Sequence, residues 1–168
     1  MDWLLLARFV HIVGAVLWAG AAIFFVLMVA PGVRDAGPSG GAVMAATLRR
    51  GGFGRYFGPV STLTVLAGLY LYAKLDFHKD PFADNATTAL TLGMALGILA
   101  WLEGLMVLLP LEAKLKALVK SMPAQGPPPP EKAAEFQAMG MKMGKATQMS
   151  AGILFLALLL MASRTLLL

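Results

Sequence analysis

The sequence predicts an all-α, polytopic membrane protein built as a four-helix transmembrane bundle. Of its 168 residues, 58% are hydrophobic and only 14% are charged, and the mean hydropathy is +0.73. Soluble domains are about half apolar and about a quarter charged, so this balance excludes them. Four apolar stretches are long enough for the roughly 20 residues that a helical crossing needs. The absence of cysteine excludes disulfides, thiolate metal sites and iron–sulfur clusters.

The first two spans are separated by a glycine-rich connection. The first covers about 3–30 and is predicted to end at Pro31, and its acidic start and length distinguish it from a cleavable signal peptide. A short helix over 42–50 is expected at the membrane surface. The second span covers about 55–74 and leads into a short polar loop.

The last two spans are predicted to form a hairpin whose stem projects from the membrane. The third covers about 87–109 and is expected to continue as an amphipathic helix, kinked at Pro110. A polyproline turn over 127–130 precedes a long final helix. That helix becomes fully apolar in the fourth span, about 146–166. The segment 110–145 is therefore predicted to be a cytoplasmic helical hairpin extension.

The basic residues predict the orientation. Ten of the fourteen lie in the first and third connections, and the other side has four. The positive-inside rule places the ten in the cytoplasm and both termini outside, in the inner (plasma) membrane, crossed several times. The charge of +5 is distributed over loops without a clustered basic stripe, so the expected partner is the lipid bilayer and not nucleic acid. The ten are Arg34, Arg49, Arg50, Arg55, Lys114, Lys116, Lys120, Lys132, Lys142 and Lys145.

His11 is the main candidate for chemistry because it lies inside the first span. A charged side chain near the bilayer centre costs a few kcal/mol. His11 and Trp18 are seven residues apart, two helical turns, and share a face with Gly14 and Ala15. Small residues allow another helix to approach, so this face is predicted to be packed. Two interpretations stay open: a neutral histidine hydrogen-bonded to a neighbouring helix, or a ligand to haem iron or copper.

The loop after the second span contains the other histidine. His78 is flanked by Asp76, Asp80 and Asp84. Carboxylate oxygens with one imidazole suit a divalent cation. A solvated polar turn is the alternative interpretation.

Glu103 and Tyr70 are further candidates for contact with a cofactor. Glu103 is the one acid well inside a predicted span, where it forms an ion pair with Arg55 or Lys145 or acts as a proton-relay carboxylate. Tyr70 and Tyr72 lie at the outer end of the second span, near the depth of His11. Each of these tyrosines is expected to anchor the chain at the membrane interface or to form a hydrogen bond with a cofactor.

Methionine and glycine motifs allow packing and metal-binding interpretations. Thioethers favour Cu(I), and methionine also fills gaps in apolar interfaces. The glycine pairs are predicted to bring helix backbones together. The motifs are the run of Met139, Met141 and Met143, Gly93-x-x-x-Gly97, and Gly140-x-x-x-Gly144.

The first 75 residues resemble a known superfamily. The order His11, six apolar or small residues, Trp18 and then Gly20, in a four-helix membrane protein, is similar to CopD-like and HemJ-like integral membrane proteins. The arginine-led start of the second span, 53–57, and its close at 66–71 also resemble that group. The third span departs from HemJ-like proteins, which carry a functional lysine there. The resemblance implies haem b binding, with His11 as the ligand, or copper handling.

Three functional hypotheses follow. The first is a b-haem-binding protein with His11 as axial ligand and Trp18, Tyr70 and Glu103 beside the cofactor, acting in electron transfer, haem-linked redox or gas sensing. A haem-dependent oxidoreductase activity falls within it. The second is a copper-handling protein that uses His11 with methionines or with His78. The third is a structural accessory subunit of a respiratory complex.

The sequence allows several candidates for the second axial ligand of the haem iron. His78, a methionine, or the His11 of a homodimer partner are the alternatives, and a five-coordinate haem is another. The expected partners are accordingly a second copy of the chain or a respiratory or metal-handling membrane protein.

Overall fold

The computed structural model describes residues 2–123 and 128–163, and within these ranges the chain forms five helices and no strand. The end of the predicted fourth span, 164–166, and Pro127 of the predicted polyproline turn lie outside the described residues. Short π-helical turns are counted within the helices that contain them. The helices are α1 (Trp3–Asp35), α2 (Pro38–Arg49), α3 (Gly54–Lys74), α4 (Asn85–Lys120) and α5 (Pro130–Ser163).

Three of the described helices, α1, α4 and α5, are long and apolar enough to cross a membrane. Large apolar side chains cover the outer surface, as shown by Phe9, which is 64% exposed, and Val16, which is 67% exposed. Such a surface suits lipid and not water. The helix α3 has 21 residues, but Arg55 and several hydroxyl-bearing residues make it less apolar than the other three. The structure therefore supports an all-helical membrane protein with three candidate spans, where the sequence predicts four.

Two prolines are accommodated inside helices by π-helical turns. The prediction that the first span ends at Pro31 is wrong, because α1 continues to Asp35. A proline ring clashes with the carbonyl four residues earlier, which is Leu27 for Pro31 and Met106 for Pro110. Both of these residues lie within π-helical turns, 25–29 and 104–108. The wider turn relieves the clash, so each helix continues.

After Pro110, the end of α4 packs against the start of α5, and this helical hairpin forms its own apolar cluster. Leu115 and Val119 of α4 pack with Leu48 of α2, and Met139 and Met143 of α5 pack against this group. The short helix α2 therefore lies against the hairpin. These two methionines fill a core, as one interpretation of the methionine run expects.

Glu112 joins α4 to the start of α3. Its Oε2 accepts a hydrogen bond from the Gly54 amide at 2.8 Å, and its Oε1 forms an ion pair with Lys116 Nζ at 2.6 Å. A carboxylate at a helix start stabilises the unpaired amides there. Gly52 has a φ of 71°, and a Cβ at this position would overlap Glu112 Oε1. The buried carboxylate therefore depends on a residue without a side chain.

The glycine pairs do not all act as predicted. A Cβ on Gly93 would lie 2.8 Å from Met161 Cγ and 3.1 Å from the Ala157 carbonyl oxygen, so here α4 and α5 do approach closely. A Cβ on Gly97, Gly140 or Gly144 would meet nothing within 4 Å. The predicted close packing at these three positions is therefore absent, because each of them lines open space.

Candidate functional site

His11 of α1 is held by the backbone of α3. Its Nδ1 lies 2.8 Å from the carbonyl oxygen of Thr64. A carbonyl only accepts hydrogen bonds, so Nδ1 carries the proton and donates it. In the neutral ring, Nε2 is then unprotonated and keeps its lone pair. Metal-binding histidines are commonly oriented in this way by a backbone carbonyl.

Two glycines allow α1 and α3 to approach this closely. A Cβ on Gly14 would overlap the Thr64 hydroxyl, and a Cβ on Gly68 would lie 2.7 Å from His11 Cε1 and 2.9 Å from Nδ1. Any larger residue at Gly68 displaces the imidazole from its position. The Thr64 hydroxyl donates to the Val60 carbonyl at 2.8 Å, so it does not compete for the ring.

His11 lines an apolar cavity of about 300 Å³ between α1, α3, α4 and α5. Its few polar groups come from Arg8, His11, Thr64 and Tyr72. The Tyr72 hydroxyl is 2.8 Å from Thr91 Oγ1, which in turn donates to the Pro81 carbonyl at 2.9 Å. An apolar cavity with a few placed polar groups is the usual form of a small-molecule or cofactor site.

Two methionines line the same cavity. Met94 comes from α4 and Met161 comes from α5. Thioethers are soft donors of the kind that Cu(I) and some haem irons accept. The sequence offers eleven methionines and no criterion for choosing these two, because the choice depends on how α4 and α5 pack.

Trp18 lies at the inner end of this cavity. It is buried, within the π-helical turn Val16–Gly20, and it lines the same cavity as His11, as their spacing predicts. Turns of this type are rare and often occur at functional sites. Trp18 also lines a second cavity, so it borders both.

The structure does not bring Tyr70 or Glu103 to His11. The ring of Tyr70 is 39% exposed and its centroid lies 6.0 Å from Lys74 Nζ, outside the cavity. Tyr72 takes the expected place because Thr64, Gly68 and Tyr72 recur every four residues on the face of α3 that borders the cavity. Glu103 is buried further along α4 and is not part of this cavity. Neither residue therefore lines the cavity that contains His11.

Glu103 also lacks the ion pair expected for it. Among the described residues, neither Arg55 nor Lys145 lies within ion-pair distance of its carboxylate. Both oxygens are buried without a hydrogen bond of good geometry, although the Ser150 hydroxyl is close enough to interact. This is a buried acid without a charge partner.

The loop around His78 does not form the predicted cation site. Within residues 2–123 and 128–163, no group of three or more His, Asp or Glu side chains is placed to hold a metal ion. Asp76 forms an ion pair with Lys79 at 3.0 Å, and Asp84 accepts from the Thr87 amide at 2.6 Å at the start of α4. These carboxylates stabilise the turn and the helix, and His78 is exposed.

Comparison with protein-family models, with curated proteins and with solved structures gives no match for this chain.

Proposed function

We propose that this chain is an integral membrane protein that binds haem b, with His11 Nε2 as an axial ligand. The observation that carries the proposal is the hydrogen bond from Nδ1 to the Thr64 carbonyl. It orients the imidazole and leaves an unprotonated nitrogen beside an apolar cavity. The resemblance to CopD-like and HemJ-like proteins agrees with this role for His11.

The residues around the cavity suit a haem. A volume of about 300 Å³ is at the lower end of cofactor sites, and its apolar lining suits a porphyrin ring. Arg8 is exposed at the edge of the cavity, and its guanidinium would be a partner for the carboxylates of a haem. Bound haem supplies one-electron exchange at iron, and an iron with an open position also binds a diatomic gas.

The residues of the chain have separate tasks in this proposal. The Thr64 carbonyl holds the imidazole and increases the electron density at Nε2. Met94 and Met161 line the same cavity, so their thioethers would be the donors available to a bound iron, and the buried indole of Trp18 would help to exclude water. The α1–α3 contact thus sets the tautomer of His11, and the α4–α5 pair would supply the thioethers.

We further propose that α3 is the fourth span. It runs beside α1, from the Tyr56 hydroxyl, which donates to the Leu17 carbonyl at 3.1 Å, to the His11–Thr64 contact. A helix paired along its length with a membrane-crossing helix crosses with it. The basic residues then put the hairpin extension in the cytoplasm and His11 in the outer half of the membrane. An activity reporter fused after Leu168 is expected to work only outside the cytoplasm, and the opposite result rejects this orientation.

An absorption spectrum of the purified protein tests the haem. Protein from haem-replete cells is expected to show a Soret band that His11→Ala removes and His78→Ala leaves unchanged. Retention of the band in His11→Ala would show that the ligand lies elsewhere. Colourless wild-type protein would reject haem binding.

Copper handling is a second candidate, favoured by the two thioethers that share the cavity with His11. One imidazole and two thioethers suit Cu(I). Metal analysis is expected to find copper that is lost when Met94 and Met161 are both replaced by leucine. The exposed Met141→Leu is the matched control. Equal copper content in both variants would reject this site.

A further inference from the structure

A second apolar cavity, of about 260 Å³, lies on the other side of Trp18. The His11 cavity is lined by the first part of α1 and the last part of α5. The second cavity is lined by later residues of α1 and earlier residues of α5, so the two follow one another along the bundle. Six aromatic side chains line it. They are Trp18, Phe25, Phe53, Phe57, Trp101 and Phe136.

Four glycines keep this cavity open. Gly58, Gly104, Gly140 and Gly144 line it from α3, α4 and α5, and a Cβ on any of them would meet nothing within 4 Å. Glycine inside a helix is less favourable than alanine, and protein interiors are otherwise closely packed. Apolar cavities of this kind do not hold water well. The arrangement therefore fits an apolar ligand better than it fits a packing defect.

Polar groups line the cavity at two places. The carboxylate of Glu112, already bonded to the Gly54 amide and to Lys116, lies near the start of α3. Ser61 and Ser150 are buried and line the cavity where it meets the bundle core, and the Ser61 hydroxyl donates to the Gly58 carbonyl at 3.2 Å. The carboxyl group of Glu103 is buried, has no hydrogen bond of good geometry among the described residues, and lies close to the Ser150 side chain. A ligand that carries an oxygen atom at the end that enters the cavity first would contact these polar side chains. A hydrocarbon chain has no such atom.

We propose that this cavity binds a lipid-soluble quinone. Its ring is planar and packs among aromatic side chains, its ring oxygens accept hydrogen bonds from hydroxyl or carboxyl groups, and its isoprenoid tail is soluble in the membrane. Because Trp18 is the only described residue that lines both cavities, the site is distinct from the proposed haem site. Quinone binding does not require that His11 holds a cofactor.

Tryptophan fluorescence of the full chain in detergent measures this binding. Two of the three tryptophans, Trp18 and Trp101, line the cavity, and the third, Trp3, is 64% exposed. In a Trp3→Phe background, titration with a short-chain benzoquinone is expected to quench the signal saturably. Gly144→Leu fills the cavity and is expected to weaken binding by at least about tenfold, which corresponds to about 1.4 kcal/mol.

The matched control is Gly152→Leu on the same helix. Gly152 is exposed, lines neither cavity, and has nothing within 4 Å of its Cβ position. This variant is expected to bind the quinone as the Trp3→Phe background does. Ser150→Ala, which changes only a hydroxyl, is expected to weaken quinone binding while circular dichroism shows unchanged helix content.

Three results would overturn the proposal. Non-saturable quenching that is equal in all variants would mean partition into detergent. Equal affinity in Gly144→Leu and Gly152→Leu would place the quinone elsewhere. Displacement by a fatty acid as effective as by a second quinone would make the occupant a lipid chain. Unchanged quinone binding in His11→Ala is expected, so failure of the haem proposal is distinguishable from failure of this one.

Discussion

Replacement of Gly68 by alanine tests the geometry on which the His11 site depends. An added Cβ would lie 2.7 Å from His11 Cε1, whereas ordinary contacts begin near 3.4 Å, so the ring must move by about 0.7 Å. A movement of that size away from α3 lengthens the hydrogen bond between Nδ1 and Thr64 O from 2.8 Å to about 3.5 Å. At that distance the bond is largely lost.

The expected cost combines two effects. Overpacking of a close contact costs about 1–3 kcal/mol. Loss of a hydrogen bond costs about 0.5–1.5 kcal/mol. Helix propensity acts in the opposite direction, since alanine is better than glycine by up to about 1 kcal/mol. The net expectation for Gly68→Ala is a destabilisation of about 0.5–3.5 kcal/mol.

Two quantities are measured: the free energy of unfolding in mixed detergent, and the amount of cofactor that the purified protein retains. Gly152→Ala is the matched control, because its Cβ meets nothing within 4 Å and it should be neutral or slightly stabilising. Gly68→Ala is expected to lower both stability and cofactor retention. If the two variants behave alike, the ring of His11 is not held against Gly68 and the argument for its tautomer fails.

Three further substitutions have expected costs. Glu112→Gln removes the charge that pairs with Lys116 and that accepts from the Gly54 amide. It should lower the free energy of unfolding by about 1–3 kcal/mol, with a smaller loss in high salt. An unchanged free energy would mean that the start of α3 does not depend on this carboxylate. Asp84→Ala removes the cap of α4 and should cost about 1 kcal/mol in the same assay, and an unaffected midpoint contradicts this. Trp101→Phe removes the 3.1 Å hydrogen bond from Nε1 to Thr62 Oγ1 and should lower the free energy of unfolding by about 0.5–1.5 kcal/mol. A more stable variant would show that this hydrogen bond does not stabilise the protein.

The helical architecture was predictable because it follows from local properties of the chain. Apolar stretches of sufficient length indicated the helices, and the continuation of the third span through Pro110 was expected. The end of α1 was misplaced at Pro31, because a π-helical turn four residues earlier leaves no mark in the sequence. Such turns depend on how the neighbouring helices pack.

The site was predictable only in part. Spacing placed His11 and Trp18 on one face, since helical periodicity is local. The choice between Tyr70 and Tyr72 depends on the rotation of α3 about its axis, which hydropathy does not determine when both sides of the helix are apolar. For His78 the sequence left a cation site and a polar turn open, and in the structure Asp76 and Asp84 bond to local groups.

By itself the sequence determined the helix class, the apolar spans, the hairpin extension and the identity of the one histidine inside a span, because composition and periodicity act over a few turns. The tertiary structure decided which nitrogen of His11 donates to the Thr64 carbonyl and which methionines line the same cavity. It also decided whether each glycine brings helices together or leaves a cavity between them. Gly93 and Gly144 look alike in the sequence, yet one contacts Met161 and the other faces open space. That difference depends on the neighbouring helix, whose position is set by contacts distant along the chain.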